Sequence, residues 1–494
     1  MRKRNQSYSE RQAKNARVNR AQLVTSDQDV YTHFSEEIDR GPLNPERRAV
    51  AEESFVTFCK TYGAAAFTLS WSDYHLSAAA KVEAAAKSGG MFAFAMPRGS
   101  GKSTLCHWSV LWSVLCGHSP YAVLIGATDS SAKSRLKALK TTLRFNELLF
   151  EDFPEVCCSV RHMRGEARRA SGQKFHGEPT AFEWMQNRIV LPTIPAAYGK
   201  ASGSIIDVCG ITGNIRGRSH ERPDGSVLRP TLAIADDVQT RESARSPSQT
   251  EAREAILLGD VKYMAGPDRP IALLAPCTVI YPGDLADRLM DRKLHPELQG
   301  ERTKMLIEFP TNEKLWDEYA EIRSDSFRNG GDGSAATDFY RKNREAMDAG
   351  AEVSWADRYF EGELSAIQHA MNLKIQDEAS FQAEYQNEPI IENDSDLGLI
   401  SLDALTEKTN GVKQGVVPDS CTKLTAFVDV SKKVMWWAVV GWENNFTGYV
   451  IDYGVWPKQN SNYVTLATAK TTLMMKKRGA GFEAALLAGL KGLT

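Results

Sequence analysis

The 494-residue sequence lacks any apolar run long enough to cross a bilayer. The longest helix-like one, Leu105 to Cys116, is too short and contains His107. The N-terminus is basic but has no apolar core, which excludes a secretory signal. The eight cysteines form no CxxC pair and follow no regular spacing, which argues against a zinc module or a disulfide framework. A reducing compartment is the expectation. Charge of one sign is also missing: the formal net charge is -2, so the sum does not advertise a nucleic-acid binder. That sum excludes little, because counterion release depends on local Lys and Arg facing phosphates. There is no internal repeat. What remains is an ordinary globular composition, 42% hydrophobic and 25% charged, with room for two or three domains.

Residues 1 to about 25 carry Arg2, Lys3, Arg4, Arg11, Lys14, Arg17 and Arg20 against the single acid Glu10. This is either a solvated tail or an arm that touches DNA or a partner subunit. Folded sequence is expected from Asn44-Pro45-Glu46, a cap residue followed by Pro in the first turn. From Met91 short apolar runs alternate with helical stretches. Met91–Met96 and Tyr121–Ala127 read as strands, with helices at Lys102–Cys116 and around Lys133, Arg135, Lys137 and Lys140. Leu232–Ala235, Ile271–Ala275 and Met305–Phe309 read as further buried strands, so the class is α/β with a mainly parallel sheet. Residues 161 to 182 read as an irregular Arg-rich insertion, and Arg328–Ser334 as a Gly-rich loop. After Pro418 the pattern becomes a β-meander: Leu424–Val428, Met435–Trp442 and Gly448–Tyr453.

The strongest local signal is Pro97-Arg98-Gly99-Ser100-Gly101-Lys102-Ser103-Thr104, between an apolar strand and an apolar helix. Glycines let backbone N–H groups turn toward phosphates, and the helix N-terminus adds a favourable dipole. Gly99, Ser100, Gly101, Lys102, Ser103 and Thr104 are the candidate nucleotide-binding residues. Lys102 would reach the terminal phosphates and the Ser103 hydroxyl would ligate Mg²⁺. A full P-loop pattern needs Gly at position 96, where this chain has Met96. Leu232-Ala233-Ile234-Ala235-Asp236-Asp237 is an apolar strand ending in two carboxylates. Asp236 suits the metal and Asp237 the attacking water. Arg98 is unusual inside a phosphate loop: it either stabilises charge on the γ-phosphate or makes a structural salt bridge.

With these residues the chain resembles the large subunit of tailed-phage terminases, from about residue 65 to the C-terminus. Phosphate loops of that family often lack the first Gly and carry Arg where Arg98 stands. Trp71-Ser72-Asp73-Tyr74-His75 looks like the family's segment near the adenine, and Gly213-Asn214-Ile215-Arg216-Gly217 like its Gly-and-Arg loop. Cys277-Thr278 with Pro282-Gly283-Asp284-Leu285 resembles the coupling motif, in which Thr278 would sense the γ-phosphate. The alternative for Thr278 is a strand-end hydroxyl bonded to nearby backbone. Glu352-Val353-Ser354-Trp355 and Phe381 to Pro389 look like family segments leading into the nuclease. The aromatic and amide residues of the latter read as packing rather than chemistry.

The resemblance implies an ASCE-type P-loop ATPase domain followed by an RNase H-like nuclease domain. Thr425-Ala426-Phe427-Val428-Asp429-Val430 is similar to the first nuclease strand, which makes Asp429 the candidate first ligand of a two-metal site. The alternative is an acid that ends a strand. The sequence ends at Thr494, before the strands on which the family carries further carboxylates, so the expectation is a partial, impaired nuclease. The expected organisation is a basic tail at 1–43, the ATPase at 44–375, a linker at 376–420 and the partial nuclease at 421–494. ATP and Mg²⁺ are the implied cofactors, with Mg²⁺ or Mn²⁺ for the nuclease. The implied partners are double-stranded DNA, a portal protein, a small terminase subunit and further copies in a ring, without a membrane. The implied place is the host cytoplasm during virion assembly. Candidate DNA contacts are the basic helix from Lys133 to Lys140 and Arg161, Arg164, Arg168 and Arg169. A helicase-like ATPase and a non-catalytic DNA- or portal-binding remnant are the other readings.

Overall fold

The computed structural model describes residues 34–222, 224–266, 271–390, 402–461, 464–466, 468–477, 479 and 481–493. The basic residues from Arg2 to Arg20 lie outside them. The chain divides into two compact units, residues 1–391 and 392–494. Residues 376–390, expected as the start of a linker, fall in the first.

The first unit is built on β1 (Met91–Ala95), β2 (Tyr121–Gly126), β3 (Ile205–Gly210), β4 (Leu232–Ala235) and β5 (Ala272–Cys277). These five are parallel, in the spatial order β1-β5-β4-β2-β3. Glu301–Arg302 extends the β1 edge in parallel, while Arg188–Val190 and Glu183–Trp184 add antiparallel pairs beyond β3. Successive strand residues face opposite sides, and both sides are buried. Phe92, Phe94, Leu124, Val208 and Ile234 join one core cluster. Ala93, Val123, Ile125, Ala233 and Leu273 join the other. Such two-sided burial is what continuous apolar runs encode, and it gives the doubly covered α/β sheet that the alternation implied. β5 lies between β1 and β4, so a strand separates the strand that leads into the glycine loop from the acidic strand.

Helix placement follows local chemistry. Pro45–Glu53 begins with the Asn44 side chain accepting from the Arg47 N–H. The helices that carry the site are α1 (Asp73–Ser88), α2 (Lys102–Leu115) and α3 (Asp129–Phe145). α2 is apolar on most of its surface because it lies inside the first core cluster. One expected buried strand is different in kind. Leu306–Glu308 pairs only with Glu352–Val353 in a separate two-stranded sheet, with Ile307 and Phe309 exposed. An apolar run alone does not say which sheet it joins.

The second unit holds β6 (Lys423–Val430), β7 (Met435–Trp442) and β8 (Gly448–Trp456), an antiparallel meander, and the helix α4 (Phe482–Leu493). Met435, Leu473 and Ala485 form its core. Gly489 and Gly492 let α4 approach: a Cβ at Gly489 would stand 2.5 Å from Met435, and one at Gly492 2.6 Å from Trp456. No helix among the described residues is long and apolar enough to cross a membrane.

Candidate functional site

Three neighbouring parallel strands end at one place. The chain leaves β1 into the Gly99–Gly101 loop, leaves β4 into Asp236-Asp237, and leaves β5 into Thr278. Gly99 and Gly101 have φ of 77° and 82°, the left-handed region in which a side chain is strained. They turn the loop so that Lys102 opens α2 with Gly101 as its cap. A cleft of about 490 Å³ lies over the loop, lined by Arg98, Lys102, Ser103, Asp237, Thr278 and Glu384, among others. The candidate residues of the first unit therefore converge, although they come from positions far apart in the chain.

Lys102 is buried and donates to the carbonyls of Met96 (2.8 Å) and Pro97 (3.2 Å). Burial pushes its ammonium below the ordinary lysine range, against the pull of Asp237. The Ser103 hydroxyl donates to Asp236 Oδ1 at 3.5 Å. Asp236 is fully buried and forms an ion pair with Arg135 from α3. Asp237 has a φ of 51°, unusual for a residue other than Gly, and its N–H donates to the Pro276 carbonyl at 3.1 Å. Burial raises its carboxyl above the ordinary range; Lys102 and Arg135 oppose that shift, while Glu384 adds to it. Thr278 is buried, and its carbonyl accepts from Gln239 at 2.9 Å. Asp284 secures the following turn by accepting from the backbone of Ile280, Tyr281 and Asp287. A Ser hydroxyl converging with one carboxylate beside an open cleft is a donor set that suits Mg²⁺, which keeps several waters and takes ligand phosphates. The positive-φ glycines with Lys102 likewise suit a polyphosphate.

Several residues that shape the site carried no local sequence signal. Arg98 makes a salt bridge to Glu384, and its backbone N–H donates to the Glu384 carbonyl at 2.7 Å. Arg241 is paired with the same carboxylate. The Phe381–Pro389 stretch therefore does more than pack: it brings an acid to the cleft. Its amides do act as pins. Gln386 accepts from the N–H groups of Met305 and Leu306 and donates to Leu306, each at 2.9 Å. Asn387 accepts from Val279 at 2.9 Å and donates to Thr303 at 2.8 Å.

Beneath the loop, Arg358 donates to the Arg98 carbonyl, and its guanidinium lies 5.4 Å from the Tyr385 ring centre. His75 Nε2 donates to the Ser100 carbonyl at 2.9 Å, and burial lowers its imidazole so that it stays neutral. A smaller hollow of about 150 Å³ opens beside the loop, lined by Phe67, Trp71, His75, Ser100 and Trp355, among others. Trp355 Nε1 donates to the Ser70 carbonyl at 2.8 Å, joining the two family-like segments around it.

The candidate DNA contacts divide. Arg135 turns inward to Asp236, and Lys140 lies 4.8 Å from the Trp184 ring centre, whereas Lys133 and Lys137 are exposed. Arg161 pairs with Glu147 at 2.9 Å, Arg168 and Arg169 pair with Glu166 at 2.7 and 3.1 Å, and Arg164 is exposed. Arg216 of the Gly-and-Arg loop pairs with Asp260 at 2.7 Å. In the second unit Asp429 is exposed on β6, opposite Trp436. No group of three His, Cys, Asp or Glu side chains that could hold a metal occurs among the described residues. One exposed carboxylate does not fit a two-metal centre, and no cleavage step is derived from it.

Residues 379–484 match the family model described as the terminase large subunit gpA, endonuclease domain. Over these residues the resemblance to the terminase large subunit holds. Among solved structures, the large terminase of bacteriophage HK97 aligns at 13% identity with a TM-score of 0.38, covering 85% of this chain and 69% of that one. The large terminase of a thermophilic bacteriophage aligns at 12% identity with a TM-score of 0.24, covering 75% of this chain and 65% of that one. No curated protein matches. The terminase family match begins at residue 379, so its first part, through 390, packs in the unit that holds the phosphate-loop cleft.

Proposed function

We propose that the chain is the motor subunit of a viral DNA-packaging machine, which hydrolyses ATP to move double-stranded DNA into a procapsid. The observation that carries this reading is the convergence of Arg98, Lys102, Ser103, Asp237 and Thr278 on one cleft beside a glycine-turned loop, with Asp236 behind it bonded to Ser103. The terminase likeness supplies the reason to choose packaging over strand separation.

In this reading Lys102 leaves the carbonyls of Met96 and Pro97 for the terminal phosphates. Ser103 and Asp236 would hold Mg²⁺, which would supply charge neutralisation at the phosphates. Asp237 orients the attacking water and accepts its proton, a role that a carboxyl raised by burial serves better than an ordinary one. Arg98 stabilises the charge that develops on the transferred group, and Thr278 reports its loss to the backbone held by Gln239 and Asp284. The partners that belong to this reading are duplex DNA, a portal protein, a small terminase subunit and further copies in a ring.

ATP hydrolysis with and without linear duplex DNA tests it, on the wild-type chain and on Lys102→Ala. Activity that needs Lys102 and rises with duplex supports the motor, and a strand-separation assay should show no unwinding. Hydrolysis indistinguishable from Lys102→Ala would remove the ATPase reading. For the second unit the proposed role of Asp429 is that of a metal ligand in an impaired nuclease. Plasmid nicking with Mn²⁺ should be weak or absent, and robust nicking that Asp429→Ala abolishes would refute that reading.

A further inference from the structure

The sheet of the second unit has two edges, and they are built differently. β8 is the outer strand on one side. Its pairing with β7 is broken by a bulge: Val439 faces Asp452 and Val440 faces Val450, which leaves Ile451 as an extra residue. The Gly415 N–H donates to the Ile451 carbonyl at 2.8 Å, and the Gln414 side chain donates to Asp452 at 2.6 Å. A bulge, an acid inside the strand and a crossing segment all keep an edge from pairing with another chain.

β6 is the other edge and has none of these devices. Its register with β7 is unbroken from Lys423 to Val430, and no strand among the described residues pairs with its outer side. It contains no proline and no charge between Lys423 and Asp429. Seven of its eight residues are exposed, among them Leu424 (56%), Phe427 (71%) and Val430 (44%). Such a strand offers unpaired N–H and C=O groups flanked by apolar side chains, a template for one more strand.

The two charges select which strand fits. Lys423 and Asp429 each stand three residues from Ala426, and their even spacing puts them on one face of the sheet. Laid antiparallel on a second β6 about Ala426, the strand sets Lys423 against Asp429, Leu424 against Val428 and Thr425 against Phe427. A shift of two residues in either direction loses both charge pairs. We propose that β6 is a self-complementary docking strand, through which two copies of this chain pair antiparallel, with a two-fold axis at Ala426, into one six-stranded sheet. The proposal does not rest on the nucleotide cleft. A two-fold contact closes at two copies, so it is distinct from the head-to-tail contact that builds a ring. A lysine beside Asp429 also competes there with a metal ion, in line with an impaired nuclease.

The experiment is sedimentation of the full chain between about 1 and 100 μM, for wild type, Lys423→Asp, Asp429→Lys and the double reversal. Wild type should show a reversible monomer–dimer equilibrium. Each single reversal sets like charges opposite each other twice and should weaken the dimer about tenfold or more. The double reversal should return it to within about threefold of wild type. Both side chains are exposed, and circular dichroism checks that each variant is folded. Wild type that stays monomeric at the highest concentration overturns the proposal. A dimer indifferent to the single reversals is held by another surface, and one that the double reversal fails to restore does not use this register; either result overturns it as well.

Discussion

Arg135 and Asp236 form an ion pair in which the acid is wholly enclosed and the base is 26% exposed. Ser103 donates to the same acid at 3.5 Å. Removing the guanidinium in Arg135→Ala would leave a buried carboxylate almost without compensation. Breaking a buried pair from one side costs about 3–5 kcal/mol, and the partial exposure of Arg135 places the expectation near the lower end, about 3 kcal/mol. The first unit spans residues 1–391. Its unfolding entropy at the midpoint is then about 0.8 kcal/mol per kelvin, which turns the loss into a fall of about 4 °C in Tm. Scanning calorimetry of the first unit's transition reads this directly, without added metal or nucleotide. With Mg²⁺ and an ATP analogue present, the deficit should shrink, because a cation near Asp236 replaces the charge that was removed. The decisive control is Asp236→Asn. In that background Arg135→Ala should cost little, since an amide has no charge to be left unpaired. An unchanged Tm for Arg135→Ala, or the same loss in both backgrounds, would refute the reasoning.

Two other outcomes follow from buried polar groups. Gln386→Ala removes the acceptor of the Leu306 N–H and the donor to the Leu306 carbonyl, while the Met305 N–H keeps the Tyr385 carbonyl, and should cost about 1–3 kcal/mol, a fall of about 1–4 °C in the same transition. Gln386→Glu should not restore it, because its carboxylate cannot donate to the Leu306 carbonyl. His107 packs against Thr142 with its imidazole pushed down to about 4 by burial. The unfolded chain binds that proton first as pH falls, so stability is lost between about pH 6.5 and 4. In His107→Gln the decline of Tm across that window should flatten, and an unaltered slope would count against the assignment.

The parts of the site that were legible in the sequence are those whose information is local. β1, the glycine loop and α2 are contiguous, so strand period, glycine turn and helical period could be read in one stretch. Asp236 and Asp237 were legible because an apolar strand ends in them. Ile205–Gly210 was not legible, although it is a fully buried strand of the main sheet. It carries Asp207 in its middle, which looks like a surface residue until Tyr121, Arg188 and Arg218 are seen around it. Glu384 was illegible for another reason: it meets Arg98 from 286 positions away, and no periodicity reports such a contact. Arg135 was read as one charge on a basic helix, because the turn of α3 that faces inward is decided by packing and not by charge.

The stretch from 379 to 390 belongs to the endonuclease by sequence likeness and to the phosphate-loop unit by contact. That overlap constrains how such a gene can be recombined. A crossover placed where the likeness begins would pair one parent's Arg98, Arg241 and Val279 with another parent's Glu384 and Asn387. Swapping the nuclease would then also swap the partner of the phosphate-loop arginine. Exchange that leaves the first unit untouched has to be joined after residue 390, so the stretch of family likeness and the compact unit have different edges.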